Sequence, residues 1–389
     1  MSYSLYFHIP FCTHRCAYCD FNTYAGQEGL LPAYVQALEN EIKAVGRSAP
    51  ERLKVETIFF GGGTPSLMTP SQFESILKTV AAHYELLPGL EATLEANPGT
   101  VSLDDLKGLR RAGLNRISFG VQSANPEELR MLERAHTYPE VINAVSWARQ
   151  AGFDNLNLDL IYGLPEQTLA RWQKTVESVL TLRPEHLSLY ALTLEHGTPF
   201  GRWASRGLLP LPDPDLAAEM YEWSAERLAA AGYAQYEISN WALPGRECRH
   251  NLQYWRNGDY LGLGAGAHGY AGGVRYSNVL RIKTYIQRLE QIGNALEFPL
   301  SPATVNQHHN SRFEDMQETM MTGLRLTHEG IRASAFRERF GEELEDVFGK
   351  EIKELLGYQL LEWAGERLRL TVRGRLLGNQ VFMRFVGEG

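Results

Sequence analysis

The sequence predicts an α/β protein built on a partial (β/α)6 barrel, followed by a C-terminal helical, winged-helix-like domain. Three observations carry that expectation. Short apolar or alternating runs alternate six times with helical stretches, which implies a parallel sheet. Polar residues follow those runs one after another: Cys12, residues 61–64, Glu95, Gln122, Asp159 and Thr193. Past Glu195 the alternation stops. An open doubly wound sheet would also satisfy the alternation, but it gathers working residues at one switch point. A barrel spreads them over the carboxyl ends of many strands.

Strands are expected over 5–9, 55–60, 91–95, 116–119, 155–161 and 186–190, and helices over 31–45, 71–84, 103–112, 138–151 and 169–182. In the first helix Leu31, Val35, Leu38, Ile42 and Val45 form one apolar stripe. Gly113 and Gly152 follow two of the helices, as left-handed C-caps do. Pro210, Pro212 and Pro214 mark a boundary or lid before a helix over about 216–231 and a mixed region with a glycine-rich stretch at 262–273. From about residue 311 helices are expected, with a hairpin made of 367–370 and 381–386. The chain thus divides into 1–210 (barrel with the cysteine loop), 211–309 (barrel extension and candidate ligand-binding region) and 310–389 (C-terminal helical domain). A winged helix suggests DNA, yet residues 310–389 hold 12 basic and 14 acidic side chains. That balance fits a packing or covering element and no nucleic-acid partner.

Composition bounds the rest. Hydrophobic residues make up 44% and charged ones 22% of 389 residues, with a net charge of -8, as in ordinary globular proteins without a footprint for nucleic acid. No secretory leader and no apolar stretch of roughly 20 residues is seen. A cytoplasmic protein is expected, with peripheral membrane contact left open.

Three of the four cysteines crowd together as Cys12, Cys16 and Cys19, a C-x3-C-x2-C spacing. This reads as a metal site in a reducing compartment rather than a disulfide framework. Three thiolates hold three irons of a four-iron cluster and leave the fourth open. With His8 or His14 they would equally well close a tetrahedral zinc site. The surroundings favour the cluster. Gly61, Gly62 and Gly63 end a strand where the backbone can approach a ligand. Glu95, Gln122 and Asp159, with Arg134 nearby, suit a zwitterionic, ribose-bearing ligand: an arginine clamps a carboxylate, and acids or amides take an ammonium or hydroxyls.

Tyr6-Phe7-His8-Ile9-Pro10-Phe11-Cys12, the cysteine spacing, Gly61-Gly62-Gly63-Thr64-Pro65, Leu94-Glu95-Ala96-Asn97-Pro98, residues 118–123 and residues 159–165 together resemble the radical S-adenosylmethionine (SAM) superfamily. More narrowly, they resemble its branch of oxygen-independent coproporphyrinogen III oxidases and related haem chaperones. The resemblance implies a radical-SAM-type barrel with a [4Fe-4S] cluster on Cys12, Cys16 and Cys19. SAM would chelate the open iron and contact Tyr6, the backbone around Tyr18, Gly62, Gly63, Thr64, Glu95, Gln122, Arg134, Asp159 and Thr193.

The oxidases carry a fourth cysteine where this chain has Phe21, and a long arm before the cluster where eleven residues precede Cys12. The chaperone branch carries H-N-x-x-Y-W, matched by His250-Asn251-Leu252-Gln253-Tyr254-Trp255. The resemblance therefore implies a haem chaperone, with the oxidase or another tetrapyrrole-directed radical SAM enzyme as the alternative. Its partners would be haem and acceptor haemoproteins, membrane-bound ones included, and a homodimer is open to it. His250 would ligate haem iron, the aromatics would stack on the porphyrin, and Arg249 and Arg256 would meet its propionates. Cys248 is either a second iron ligand or an inert hydrophobe. His308 and His309 read as an exposed pair, and His268 as a turn residue that could border the SAM pocket.

Overall fold

The computed structural model describes residues 2–290 and 296–386. Six parallel strands, β1 (Tyr3–Ile9), β2 (Lys54–Gly62), β3 (Glu85–Ala96), β4 (Arg116–Gln122), β5 (Leu156–Tyr162) and β6 (His186–Ala191), lie side by side in chain order. They form the centre of a 12-stranded mixed sheet. Antiparallel β8 (Asn240–Ala242) and β7 (Ala234–Glu237) extend it beyond β6. On the other edge β9 (Tyr260–Leu263) pairs parallel with β1, and β10 (His268–Ala271), β11 (Val274–Asn278) and β12 (Thr304–His309) follow antiparallel. The expected strands are present, and most run further than the apolar pattern. Glu95 and Gln122 therefore sit inside strand ends, and Asp159 sits in the body of β5.

The side-chain period of two sorts each strand into two faces. Leu5, Phe7 and Ile9 of β1, Ile58 and Phe60 of β2, Ile117, Phe119 and Val121 of β4, and Leu156, Leu158 and Leu160 of β5 join one core under the helices. Phe7 stacks on Phe60 at 4.8 Å, and Phe60 meets Phe73 edge-on at 5.0 Å. The alternate residues face the inside of the half-barrel. The covering helices are α1 (Leu31–Ser48), α2 (Pro70–His83), α3 (Leu103–Ala112), the short α4 (Pro126–Met131), α5 (Tyr138–Gln150) and α6 (Leu169–Leu180). Capping boxes start α2, α3 and α5 at Thr69, Ser102 and Thr137, satisfying amides that a helix start leaves open. Gly113 ends α3 at φ 116°.

Met316, Met320, Phe336, Phe348, Ile352, Leu368 and Phe382 belong to a second core, between C-terminal helices and a three-stranded sheet. Its hairpin is Leu361–Ala364 with Arg367–Leu370. The expected partner strand at 381–386 is instead the end of a helix, Gly378–Phe382, and the turn after it. Val381, Phe382 and Phe385 all reach the second core, a spacing that suits a helical face better than one face of a strand. Among the described residues no helix is long and apolar enough to cross a membrane.

Candidate functional site

The inward face of the half-barrel lines a cavity of about 610 Å³. Cys12, Cys16, Cys19, Tyr6, Tyr18, Gly62, Gly63, Thr64, Glu95, Gln122, Arg134, Asp159, Thr193 and His250 all contribute to its wall. Residues spread over most of the chain thus converge on one space. His268 is absent from that wall and is exposed on β10.

The cysteine loop begins where β1 ends. Phe11 and Cys12 pair in parallel with Tyr24 and Ala25, closing the loop at its base. Cys19 N–H donates to the Cys16 carbonyl at 3.1 Å, and Phe200 N–H donates to the Ala17 carbonyl at 3.0 Å. Asn22 Nδ2 donates to the carbonyls of Ala265 and Leu280, both at 3.1 Å. Thr64 Oγ1 donates to Cys12 Sγ, and an Arg134 guanidinium nitrogen donates to Cys16 Sγ, each at 3.6 Å. Burial pushes the thiols of Cys12 and Cys19 up, so iron, which needs thiolates, would displace their protons on binding. The histidines considered for a zinc site are engaged elsewhere. His8 is buried between the Tyr6 hydroxyl and the Asn22 carbonyl, and exposed His14 meets Glu133 at 3.0 Å.

The glycines serve packing more than display. A Cβ on Gly63 would stand 2.5 Å from the Phe11 carbonyl oxygen, and one on Gly62, at φ 110°, would stand 2.6 Å from the His8 ring. The amides of Gly63 and Thr64 donate to the carbonyls of Ile9 and Phe11, so the segment clamps the cysteine loop. Gly62 N–H donates to Glu95 Oε2 at 3.1 Å.

The donor set fits an ammonium-bearing, carboxylate-bearing ligand. Burial, then the charge of Asp159, push the Glu95 carboxyl up to about 8. Burial raises Asp159 as well, against hydrogen bonds from Ser118 and Asn157 that favour its charged form. Two carboxyls held short of full charge are matched by a cation entering between them. Arg134 is anchored to the Gly120 carbonyl at 2.8 Å, while its buried Nε has no partner. That open donor suits a carboxylate.

His250 lies on α7 (Arg249–Trp255) and is 1% exposed. Its Nδ1 meets Thr57 Oγ1 and its Nε2 meets the Tyr254 hydroxyl, both at 2.8 Å. Phe59 stacks on the ring at 5.1 Å. Burial, then the charge of Arg116, push its pKa down to about 3, so the imidazole is neutral, with its Nε2 covered by the Tyr254 hydroxyl. The two arginines expected for propionates are occupied. Arg249 is bound to the Gly89 and Glu56 carbonyls and lies 3.6 Å from the Glu56 carboxylate, and Arg256 pairs with Glu329 at 2.7 Å. Both acids are distant in sequence, which hid the pairing. Trp255 lies under the Arg325 guanidinium at 4.3 Å. Cys248 is fully buried, its thiol aimed at Glu91 and pushed up by burial to about 12. His308 is exposed and meets Glu314.

Sequence reasoning missed Arg116, Ser118, Asn157, His186 and Ser188 on the cavity floor. The signal was available: each sits two or four residues from another inward position on the same strand, on the face opposite the apolar one.

A parallel half-barrel with three thiols on a loop at its mouth defines the radical SAM class. The Radical SAM superfamily model matches residues 6–179 and the HemN C-terminal domain model residues 310–377. The chain is 40% identical over 387 residues to the heme chaperone HemW of Bacillus subtilis (strain 168), covering 99% of each. It is 46% identical over 268 residues to the heme chaperone HemW of Escherichia coli (strain K12), covering 68% of this chain and 69% of that one. Among solved structures, coproporphyrinogen III oxidase (HemN) from Escherichia coli, a radical SAM enzyme, matches with a TM-score of 0.83 at 26% identity, over 99% of this chain and 90% of that one. The chain belongs to the HemW family of the radical SAM superfamily, and that superfamily implies a [4Fe-4S] cluster and SAM.

Proposed function

We propose that this protein is a cytoplasmic haem chaperone that holds haem through His250 and passes it to acceptor haemoproteins, on a scaffold carrying a [4Fe-4S] cluster and SAM. The observation that carries the reading is the placement of His250, Asn251 and Tyr254 on the wall of the cavity whose mouth bears the three cysteines, in a chain similar from end to end to heme chaperones. Cys12, Cys16 and Cys19 hold the cluster. Thr64 and Arg134 donate to two of the sulfurs and so temper their charge. Glu95 and Asp159 would lie near the positive charge of SAM, and Arg134 would meet its carboxylate. When bound, the cluster and SAM supply one-electron chemistry. Haem ligation requires the Tyr254 hydroxyl to leave His250 Nε2, which ties the aromatic of the motif to its histidine.

A haem titration of His250→Ala tests the ligand assignment. The expected result is a shifted Soret band and an affinity at least about tenfold weaker, since a metal–imidazole bond is lost; an unchanged band and affinity would overturn it.

Glu95 gives a second expectation. Its folded value of about 8 lies above its ordinary 4.5. Its contribution to stability is therefore present below pH 4.5 and is lost as pH rises through about 8. A cation bound beside it reverses that preference. Binding of SAM to the reconstituted protein at pH 7 should thus release close to one proton more from the native chain than from Glu95→Gln, read by calorimetry in buffers of different ionisation enthalpy. Equal release from the two proteins would show that Glu95 is not the group that changes.

The similarity to coproporphyrinogen III oxidase favours one alternative, decarboxylation of that tetrapyrrole. Phe21, 62% exposed at the cavity mouth, stands where those oxidases carry a further cysteine and weighs against it. Stoichiometric conversion of coproporphyrinogen with SAM cleavage by reconstituted protein would establish the alternative.

A further inference from the structure

We propose that Arg116 is an anion anchor on the cavity floor, taking a carboxylate of the bound ligand; for a haem propionate this rests on the reading above. Arg116 opens β4 and faces the cavity with Ser118 and Gln122. It is 2% exposed, yet its side chain makes no hydrogen bond or ion pair with any described residue, and its Nε has no partner; Glu91 and Asp159 act on it through their charge alone. The nearby acids keep the guanidinium charged, but buried N–H donors left without an acceptor are costly, and structures rarely keep them without use.

The groups around it are committed. Glu91 accepts from the Cys248 thiol and from the amides of Arg249 and His250. Asp159 accepts from Ser118 and Asn157. Asn157 Oδ1 meets His186 Nδ1 and accepts from Ser188, while His186 Nε2 meets the Tyr236 hydroxyl. The floor is thus satisfied within itself, apart from a planar fork of N–H donors whose geometry matches a carboxylate.

Two bound molecules carry that group: SAM and a propionate-bearing tetrapyrrole. Arg134 already stands beside Cys16 at the mouth. Arg116 and His250 line the same cavity. With Arg134 serving the carboxylate of SAM at the mouth, the anchor on the floor is assigned to the tetrapyrrole.

The test compares haem with iron protoporphyrin IX dimethyl ester, and measures SAM affinity, for the reconstituted full chain and for Arg116→Gln and Arg116→Lys. The native chain should bind haem about tenfold to a hundredfold more tightly than the diester. Arg116→Gln should erase that preference and leave diester and SAM affinities unchanged. Arg116→Lys keeps the charge against Glu91 but loses the fork, so its preference should fall severalfold even if the glutamine variant does not fold. A drop in SAM affinity alone would keep the anchor and assign it to SAM. Unchanged haem preference and SAM affinity in the variants would overturn it. A native chain that binds neither porphyrin would sink the haem reading, and the SAM measurement would still decide Arg116.

Discussion

Replacing Cys12, Cys16 or Cys19 by alanine should remove the brown iron–sulfur absorbance from anaerobically reconstituted protein, while the far-ultraviolet circular dichroism stays that of the native chain. Three thiolates are the minimum for a four-iron cluster with one open position, so losing any one should cost nearly all bound iron. The fold should survive because the loop is braced by contacts independent of the sulfurs: Asn22 to Ala265 and Leu280, Phe200 to Ala17, and Thr64 to Phe11. Cys248→Ser should keep the full iron content, since that thiol is buried beside Glu91, Tyr236 and Ala242 and is absent from the cavity wall. Loss of iron in that variant would show that the ligand set is wrong.

Glu41→Ala should be the most destabilising single substitution outside the apolar core. The carboxylate is fully buried on α1 and accepts from the Gly264 amide at 2.7 Å, Asn278 Nδ2 at 2.7 Å, the Tyr285 hydroxyl at 2.6 Å and Ser301 Oγ at 2.6 Å. Those donors come from four separate places between residues 264 and 301. Each buried donor left open costs about 1–3 kcal/mol, so even after water fills part of the gap the loss should reach roughly 4 kcal/mol. Urea unfolding of the iron-free protein reads it directly. A change under about 1 kcal/mol would mean that the network is solvated and carries little.

Much of the barrel was legible because its strands obey a strict two-residue alternation, with apolar side chains under the helices and polar ones over the cavity. The cysteine loop, Glu95 and Gln122 were found by their place at strand ends; Asp159 was read there too but lies in the body of β5, and the structure brings all of them to one space. Other features depend on long-range partners. The strand Tyr260–Leu263 is four residues long and contains a glycine, and only its pairing with β1 makes it part of the parallel sheet. The run from Val381 to Phe385 resembles a strand until the second core selects its helical face. Arg249 and Arg256 looked available because Glu56 and Glu329 lie far away in sequence.

The pairing of β9 with β1 also sets an order of assembly. The strand β1 is made well before its partner, yet its outer hydrogen-bonding edge is filled by residues 260–263. Until that partner has left the ribosome, the strand beneath the cysteine loop offers an open edge to any other extended chain. Iron loading onto a settled loop must therefore come late in biogenesis, and a fragment ending before Tyr260 should be prone to self-association.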